Sequence, residues 1–359
     1  MPIDLQKRTE QVLSRIEEAG IDALFVSFLP NVRYLTGFTG SNALLLLARD
    51  GSWLFTDPRY DIQAREETSC KVSVARGPLW RAALQMVRRK RWKQIGFESA
   101  RLTYEAYQSI QKELPSAVSL RPTSAIVETI RMVKSEDEIA LVRESVHTCS
   151  SAFERTVRKL KTGVSEIELA AELDYQMRRL GAERPSFDTI VASGPRSALP
   201  HASPTGNRIE PDQLLLVDMG ASRRGYASDM TRMLYPGKPA AKVKRTYRAV
   251  LEAQLAAIDA VRDGVTAESV DRAARSVLKT EGLEEAFVHS TGHGLGLEIH
   301  EPPRLGRGEK TVLRAGMLVT IEPGVYLEGF GGIRIEDTVL VTSNGCEVLT
   351  PTSKELLLL

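Results

Sequence analysis

The chain has 359 residues, with 48 Lys and Arg against 46 Asp and Glu, a formal charge of +2. A content of 42% hydrophobic and 26% charged residues is that of a folded globular protein and excludes a disordered chain. The near-neutral charge excludes a nucleic-acid binder that works through a whole-surface field.

The length fits two domains. The opening MPIDLQKRTEQV has no apolar stretch behind a basic one, so it is not a secretion signal. The longest apolar run, Ala43 to Ala48, is far short of the about 20 residues that span a bilayer. The three cysteines, Cys70, Cys149 and Cys346, are far apart and form no C-x-x-C pair, which argues against a disulfide framework or a zinc finger. A reducing, cytoplasmic location is expected.

Ile21–Ser27, Ala43–Ala48 and Ser52–Thr56 read as strands, Arg59–Glu67 and Leu79–Lys90 as helices, Gln94–Ser99 as a strand and Tyr104–Glu113 as a helix. This alternation predicts an N-terminal α/β domain over residues 1–130. A long amphipathic helix then opens, with Ser135 and Glu138 spaced as a capping box. It begins a second domain, residues 131–359.

That second domain carries an internal repeat. KTGVS at Lys161–Ser165 and RDGVT at Arg262–Thr266 each separate two helical segments. Gly163 and Gly264 can end one helix left-handed, and Ser165 or Thr266 can cap the next. Each helix pair is followed by a β-rich stretch, LLLVDMGASRRGYASDMTRMLY and then LVTIEPGVYLEGFGGIRIEDTVLV. Two helix–helix–hairpin copies are expected to join their sheets into one curved surface with helices outside.

A two-residue turn at Arg223-Arg224 sets Asp218 directly opposite Asp229, with about 4.5–5.5 Å between Cβ atoms. In the second copy, Glu322 and Glu336 are equidistant from Gly329 and face each other across that hairpin. An ion pair to Arg232 or Arg334 accounts for any one of these acids. Four acids at matched places in apolar strands instead call for bound cations. Two divalent ions bridged by carboxylates balance them better than one.

Of the five histidines, His147 lies in the first long helix and reads as structural. His201 lies in SALPHASPTG, and His289, His293 and His300 in FVHSTGHGLGLEIHE, where glycines let backbone approach a ligand closely. One imidazole among carboxylates suits Mn²⁺, Co²⁺, Fe²⁺ or Zn²⁺. Pro302 and Pro303 rule out an H-E-x-x-H helix.

VDMGA, SDMTR, STGHGLGLEIHE, TIEPGVY and GIRIEDT together resemble the pita-bread metallopeptidases over roughly residues 135–352. The N-terminal NVRYLTGFTGSN and FTDPRYD resemble the companion domain of the proline-directed branch, aminopeptidase P and prolidase. The resemblance implies a creatinase-like α/β domain followed by a pita-bread domain with a pseudo-twofold repeat. It implies two metal ions, Mn²⁺ foremost, held by Asp218, Asp229, His293, Glu322 and Glu336, with Asp229 and Glu336 bridging. It implies substrate contacts from His201, His289, His300 and Arg334, and catalytic work by Glu322, His201 and His300. The expected activity is an Xaa-Pro aminopeptidase, FTGSN and FDTIVASG being similar to its short bacterial forms, with an Xaa-Pro dipeptidase as the alternative. More distant readings are a metal-free pita-bread binding protein and a creatinase-type amidinohydrolase. A homodimer or higher homo-oligomer is expected, with no nucleic-acid or membrane partner.

Overall fold

The structure is a computed structural model and describes residues 4–359. By its internal contacts the chain divides between Arg131 and Met132.

The N-terminal unit is a six-stranded mixed sheet with helices on it. Its strands are β1 (Ala23–Val26), β2 (Ala43–Ala48), β3 (Gly51–Thr56), β4 (Lys71–Val74), β5 (Gln94–Glu98) and β6 (Ser119–Thr123), in the order β4-β3-β2-β1-β5-β6. Its helices are α1 (Leu5–Glu18), α2 (Leu29–Thr36), α3 (Asp61–Glu67), α4 (Leu79–Lys90), α5 (Tyr104–Glu113) and α6 (Ile126–Arg131). All six residues of β2 are buried, because a central strand covered on both faces must be apolar throughout. No element is expected ahead of Ile21, yet Leu5–Glu18 form α1, with Val12 and Ile16 buried on one face. The expected helix from Arg59 divides into a 3-10 turn, Pro58–Tyr60, and then α3.

The C-terminal unit contains α7 (Glu136–Val157), α8 (Glu166–Arg179), α9 (Ala241–Ala260) and α10 (Ala267–Thr280). Ser135 and Glu138 form the capping box of α7, and Ser165 and Glu168 form that of α8. Thr266 occupies the equivalent place before α10, but its side chain makes no cap bond. The first copy's strands are β7 (Arg184–Pro185), β8 (Ile190–Ser193), β9 (Leu215–Met219), β10 (Ala221–Arg223), β11 (Tyr226–Ala227) and β12 (Met230–Tyr235). The second copy follows with β13 (Gly292–Gly294), β14 (Glu301–Leu305), β15 (Leu318–Ile321), β16 (Gly324–Leu327), β17 (Gly331–Arg334), β18 (Asp337–Val341) and β19 (Cys346–Val348). The tail strand β20 (Leu357–Leu358) lies parallel to β12.

The repeat extends to the hydrogen bonds. Gly163 and Gly264 both have φ +87°. Gly163 N–H donates to Ile209 O at 2.8 Å, and Gly264 N–H to Leu313 O at 3.0 Å. Bridges Ser165↔Arg208 and Thr266↔Val312 then tie the start of each second helix to a later segment. The strands form four sheets, β11-β10-β7, β20-β12-β9-β8, β14-β13-β15-β18-β19 and β16-β17, and the Glu336 N–H, donating to Thr231 O at 3.3 Å, ties the second copy to the first.

The first hairpin corrects one expectation. Its turn is Arg224-Gly225, since Arg223 pairs with Tyr226. Arg224 and Gly225 both take positive φ, 49° and 80°, as the preferred two-residue hairpin turn requires. Asp218 therefore faces Thr231, and Asp229 is not its partner. A shift of two residues conserves side-chain parity, whereas a shift of one reverses it. The second hairpin has the expected register: Gly324↔Arg334 and Ile321↔Asp337 flank Glu322 and Glu336 symmetrically.

Candidate metal centre

Asp218, Asp229, His293, Glu322, Glu336, Arg334, His201, His289 and His300 all line one cavity of about 890 Å³ in the C-terminal unit. His147 lies elsewhere, exposed on α7.

Asp218 comes from β9, and Asp229 immediately precedes β12. Glu322 and Glu336 sit in the short breaks between β15 and β16 and between β17 and β18. Single donor atoms of Asp229, His293 and Glu336 lie within 4.8 Å of one another, close enough to hold one ion. His293 Nε2 is 3.5 Å from Asp229 Oδ2 and 3.3 Å from Glu322 Oε1. Its other nitrogen, Nδ1, is 3.0 Å from Gly294 O, so an Nδ1–H there leaves Nε2 with a lone pair toward the carboxylates.

Burial, followed by the charge of Asp218, holds the Asp229 carboxyl well above its ordinary 3.8. Burial, followed by Asp229, does the same to Glu336, whose ordinary value is 4.5. Burial also raises Glu322. A bound cation would favour the ionised form of all three. Among the described residues, two oxygens in the cluster, Asp218 Oδ1 and Glu336 Oε1, are buried without a hydrogen-bond partner. Oxygen-rich donors, one imidazole and two orphaned oxygens fit a divalent ion.

The surrounding residues fix the donors. Thr231 Oγ1 donates to Glu336 Oε2 at 2.7 Å and accepts from Arg334 Nε at 3.1 Å. Arg334 also donates to Asp218 Oδ2 at 2.6 Å, Tyr326 Oη at 2.6 Å and Pro200 O at 3.2 Å. Four of its five N–H groups are thereby occupied, which leaves no fork for a substrate carboxylate. The Arg232 alternative also resolves: Arg232 pairs with Asp337 at 2.7 Å and donates to the Glu336 carbonyl, bracing that strand from behind.

His289 Nε2 is 2.9 Å from Tyr326 Oη, and its Nδ1 is 2.8 Å from Ser290 O. Burial is the main cause that lowers it to about 4. His300, also lowered to about 4 chiefly by burial, stands edge-on to His293 with 4.3 Å between ring centroids. Both rings are neutral at pH 7.

The glycines act differently from expectation. A Cβ on Gly292 would fall 1.9 Å from Thr320 O, and one on Gly294 would fall 2.3 Å from Pro302 O. They admit neighbouring strands, not a ligand. A bulge between His293 and Gly294 disturbs the β13–β14 register beside the cavity.

Sequence reasoning missed Thr231, Tyr326 and Arg304. Thr231 was accessible: two residues after Asp229 on a strand, it shares that residue's face. Tyr326 and Arg304 give no local signal. Arg304 is exposed and lines the cavity; among the described residues its guanidinium donates one long hydrogen bond, 3.5 Å, to Arg307 O, and its charge acts on Glu309.

The model of metallopeptidase family M24 matches residues 140–343, and that of the creatinase/prolidase N-terminal domain matches residues 8–133. The chain belongs to metallopeptidase family M24. An Xaa-Pro dipeptidase of Pyrococcus furiosus is 36% identical over 355 residues, which cover 98% of this chain and 100% of that protein. The solved structure of an Xaa-Pro dipeptidase from Bacillus anthracis matches with a TM-score of 0.96 at 39% identity, covering 99% of this chain and 100% of that one. An X-Pro aminopeptidase from Thermotoga maritima MSB8 matches with a TM-score of 0.90 at 36% identity, covering 96% and 100%. The two-domain architecture, a creatinase-like α/β domain followed by a pita-bread domain, is thereby established. Among the described residues no helix is long and apolar enough to cross a membrane.

Proposed function

We propose that this metallopeptidase is an Xaa-Pro dipeptidase that uses two divalent ions, with Mn²⁺ the first candidate before Co²⁺, Zn²⁺ and Fe²⁺. The aminopeptidase reading favoured by the sequence motifs becomes the second. The observation that carries this order is end-to-end similarity to Xaa-Pro dipeptidases at 36% and 39% identity. The cavity offers a physical reason. A dipeptide presents its carboxylate one residue beyond the scissile bond, and that charge needs a cation. Arg334 is occupied by Asp218, Tyr326 and Pro200, whereas Arg304 is exposed at the same cavity. Arg304 is therefore the carboxylate partner in this reading.

Asp229, His293 and Glu336 would hold one ion. Asp218, through its unpartnered Oδ1, would hold the other together with Asp229 and Glu336. Glu322, beside His293 Nε2, completes the set. When bound, the ions supply Lewis acidity that makes hydroxide available near neutral pH and polarises the scissile carbonyl.

The chain's own groups do the rest. Glu322, whose proton affinity burial raises, accepts the proton of the attacking water and returns it to the prolyl nitrogen. His300 and His201 face the cavity as donors to the carbonyl oxygen as it gains charge. His289, held by Tyr326, walls the side where the proline ring lies. Proline offers no N–H, so shape and not a donor-specific contact must select it.

Hydrolysis of an Xaa-Pro dipeptide and an Xaa-Pro-Yaa tripeptide, after chelation and Mn²⁺ addition, tests the reading. The dipeptide should be cleaved with at least tenfold higher kcat/KM, and Arg304→Met should raise its KM while sparing the tripeptide. Rapid tripeptide cleavage with an inert dipeptide would restore the aminopeptidase.

A further inference from the structure

Directly after His300 the chain buries a carboxylate that the proposed chemistry does not use. Glu301 opens β14, along which Glu301, Pro303 and Leu305 are buried while Pro302 and Arg304 are exposed. Glu301 Oε1 accepts from Lys134 Nζ at 2.6 Å, and the two side chains are only 3% and 1% exposed. Lys134 is itself fixed. Its N–H donates to Gly316 O at 2.9 Å, its Nζ reaches Met132 O at 3.3 Å, and Val133 bridges to Met317. Gly296 leaves room for the pair, since a Cβ there would lie 2.7 Å from Glu301 Oε1 and 3.2 Å from Lys134 Cε.

A buried ion pair is a poor source of stability, because apolar side chains fill the same space without desolvating two charges. What an ion pair adds is direction. It holds one carboxylate at one place, whereas an apolar side chain can settle in several ways. His300 needs such help. Among the described residues its ring has no hydrogen-bond partner and only leans on His293. His300 lies in the bend just before β14 and lines the cavity, so a fixed Glu301 side chain fixes the backbone that carries the imidazole.

We infer that the Lys134–Glu301 ion pair is a positioning device for His300. The inference rests on the reading of His300 as donor to the carbonyl oxygen under attack.

The test compares wild type, the double variant Lys134→Met with Glu301→Leu, His300→Ala, and His300→Ala carrying Lys134→Met, each metal-loaded and assayed on an Xaa-Pro dipeptide. Metal content and melting temperature are recorded alongside. The double variant removes both charges together, so it should fold and melt within a few degrees of wild type. Its kcat per metal-loaded site should nevertheless fall at least tenfold, with KM changed less than threefold. Adding Lys134→Met to His300→Ala should lower kcat by less than twofold further, because both changes act through one imidazole. Wild-type kcat in a metal-loaded double variant, or losses that multiply in the His300→Ala background, overturns the inference. Undiminished kcat in His300→Ala alone overturns instead the reading on which it rests.

Discussion

Arg334 Nη2 donates to Asp218 Oδ2 at 2.6 Å while Asp218 Oδ1, on the same carboxylate, has no partner among the described residues. One oxygen is neutralised by the protein and the other is kept for a ligand. Removing the guanidinium strands a buried anion, which typically costs about 3–5 kcal/mol. Arg334→Met should therefore lose about that much stability in urea unfolding of chelated protein, and less when Mn²⁺ is present. Equal losses in the two conditions would contradict a metal at Asp218.

Glu336 gives the pH dependence. Its folded-state pKa lies well above the ordinary 4.5 through burial and then Asp229, so the folded chain holds a proton that the unfolded chain releases. Its stability contribution is present in full below 4.5 and is lost as pH rises through the folded value. Glu336→Gln keeps the acceptor for Thr231 and lacks the charge. Without metal, this variant should gain on wild type in melting temperature as pH climbs from 4.5 to 7. A gap that shrinks over that range falsifies the sign.

Tyr326 joins Arg334 to His289 through one hydroxyl. Tyr326→Phe leaves an arginine N–H and a histidine nitrogen buried without that partner, at a cost of about 1–3 kcal/mol. Urea unfolding should show a loss of this size, and kcat/KM on a dipeptide should fall about tenfold as His289 loses its orientation. A variant with wild-type values in both assays removes the hydroxyl from the site's framework.

Gly294→Ala places a methyl 2.3 Å from the Pro302 carbonyl, where backbone must move. Strain of this kind costs typically about 1–3 kcal/mol. Because His293 precedes Gly294, the variant should also bind Mn²⁺ at least tenfold more weakly in equilibrium dialysis. Unchanged affinity would show that the β13–β14 spacing does not govern the imidazole.

What the sequence reveals depends on how local each signal is. The capping boxes at Ser135 and Ser165 are spelled by residues three apart and are read directly. Helix α4 is found at its observed limits because its apolar face repeats within one segment. The hairpin register is less secure. Arg223-Arg224 and Arg224-Gly225 are both plausible turns, and only positive φ at Arg224 and Gly225 decides between them. Asp218 still shares its cavity with Asp229 because the two registers have the same parity. Buried ion pairs such as Lys134–Glu301 and Arg232–Asp337 join residues far apart in the chain, and no spacing rule announces them. Glycines between His289 and His300 signal a close approach of backbone, but the sequence does not say of what; at Gly292 and Gly294 it is the adjacent strands.

Strand β14 is an edge of its ladder, and two of its five residues are Pro302 and Pro303. Neither has an amide hydrogen to offer an incoming chain. An extended polypeptide cannot zip onto this rim as one more strand. Loose tails and unfolded neighbours thus gain no foothold along β14, whose residues also line the cavity.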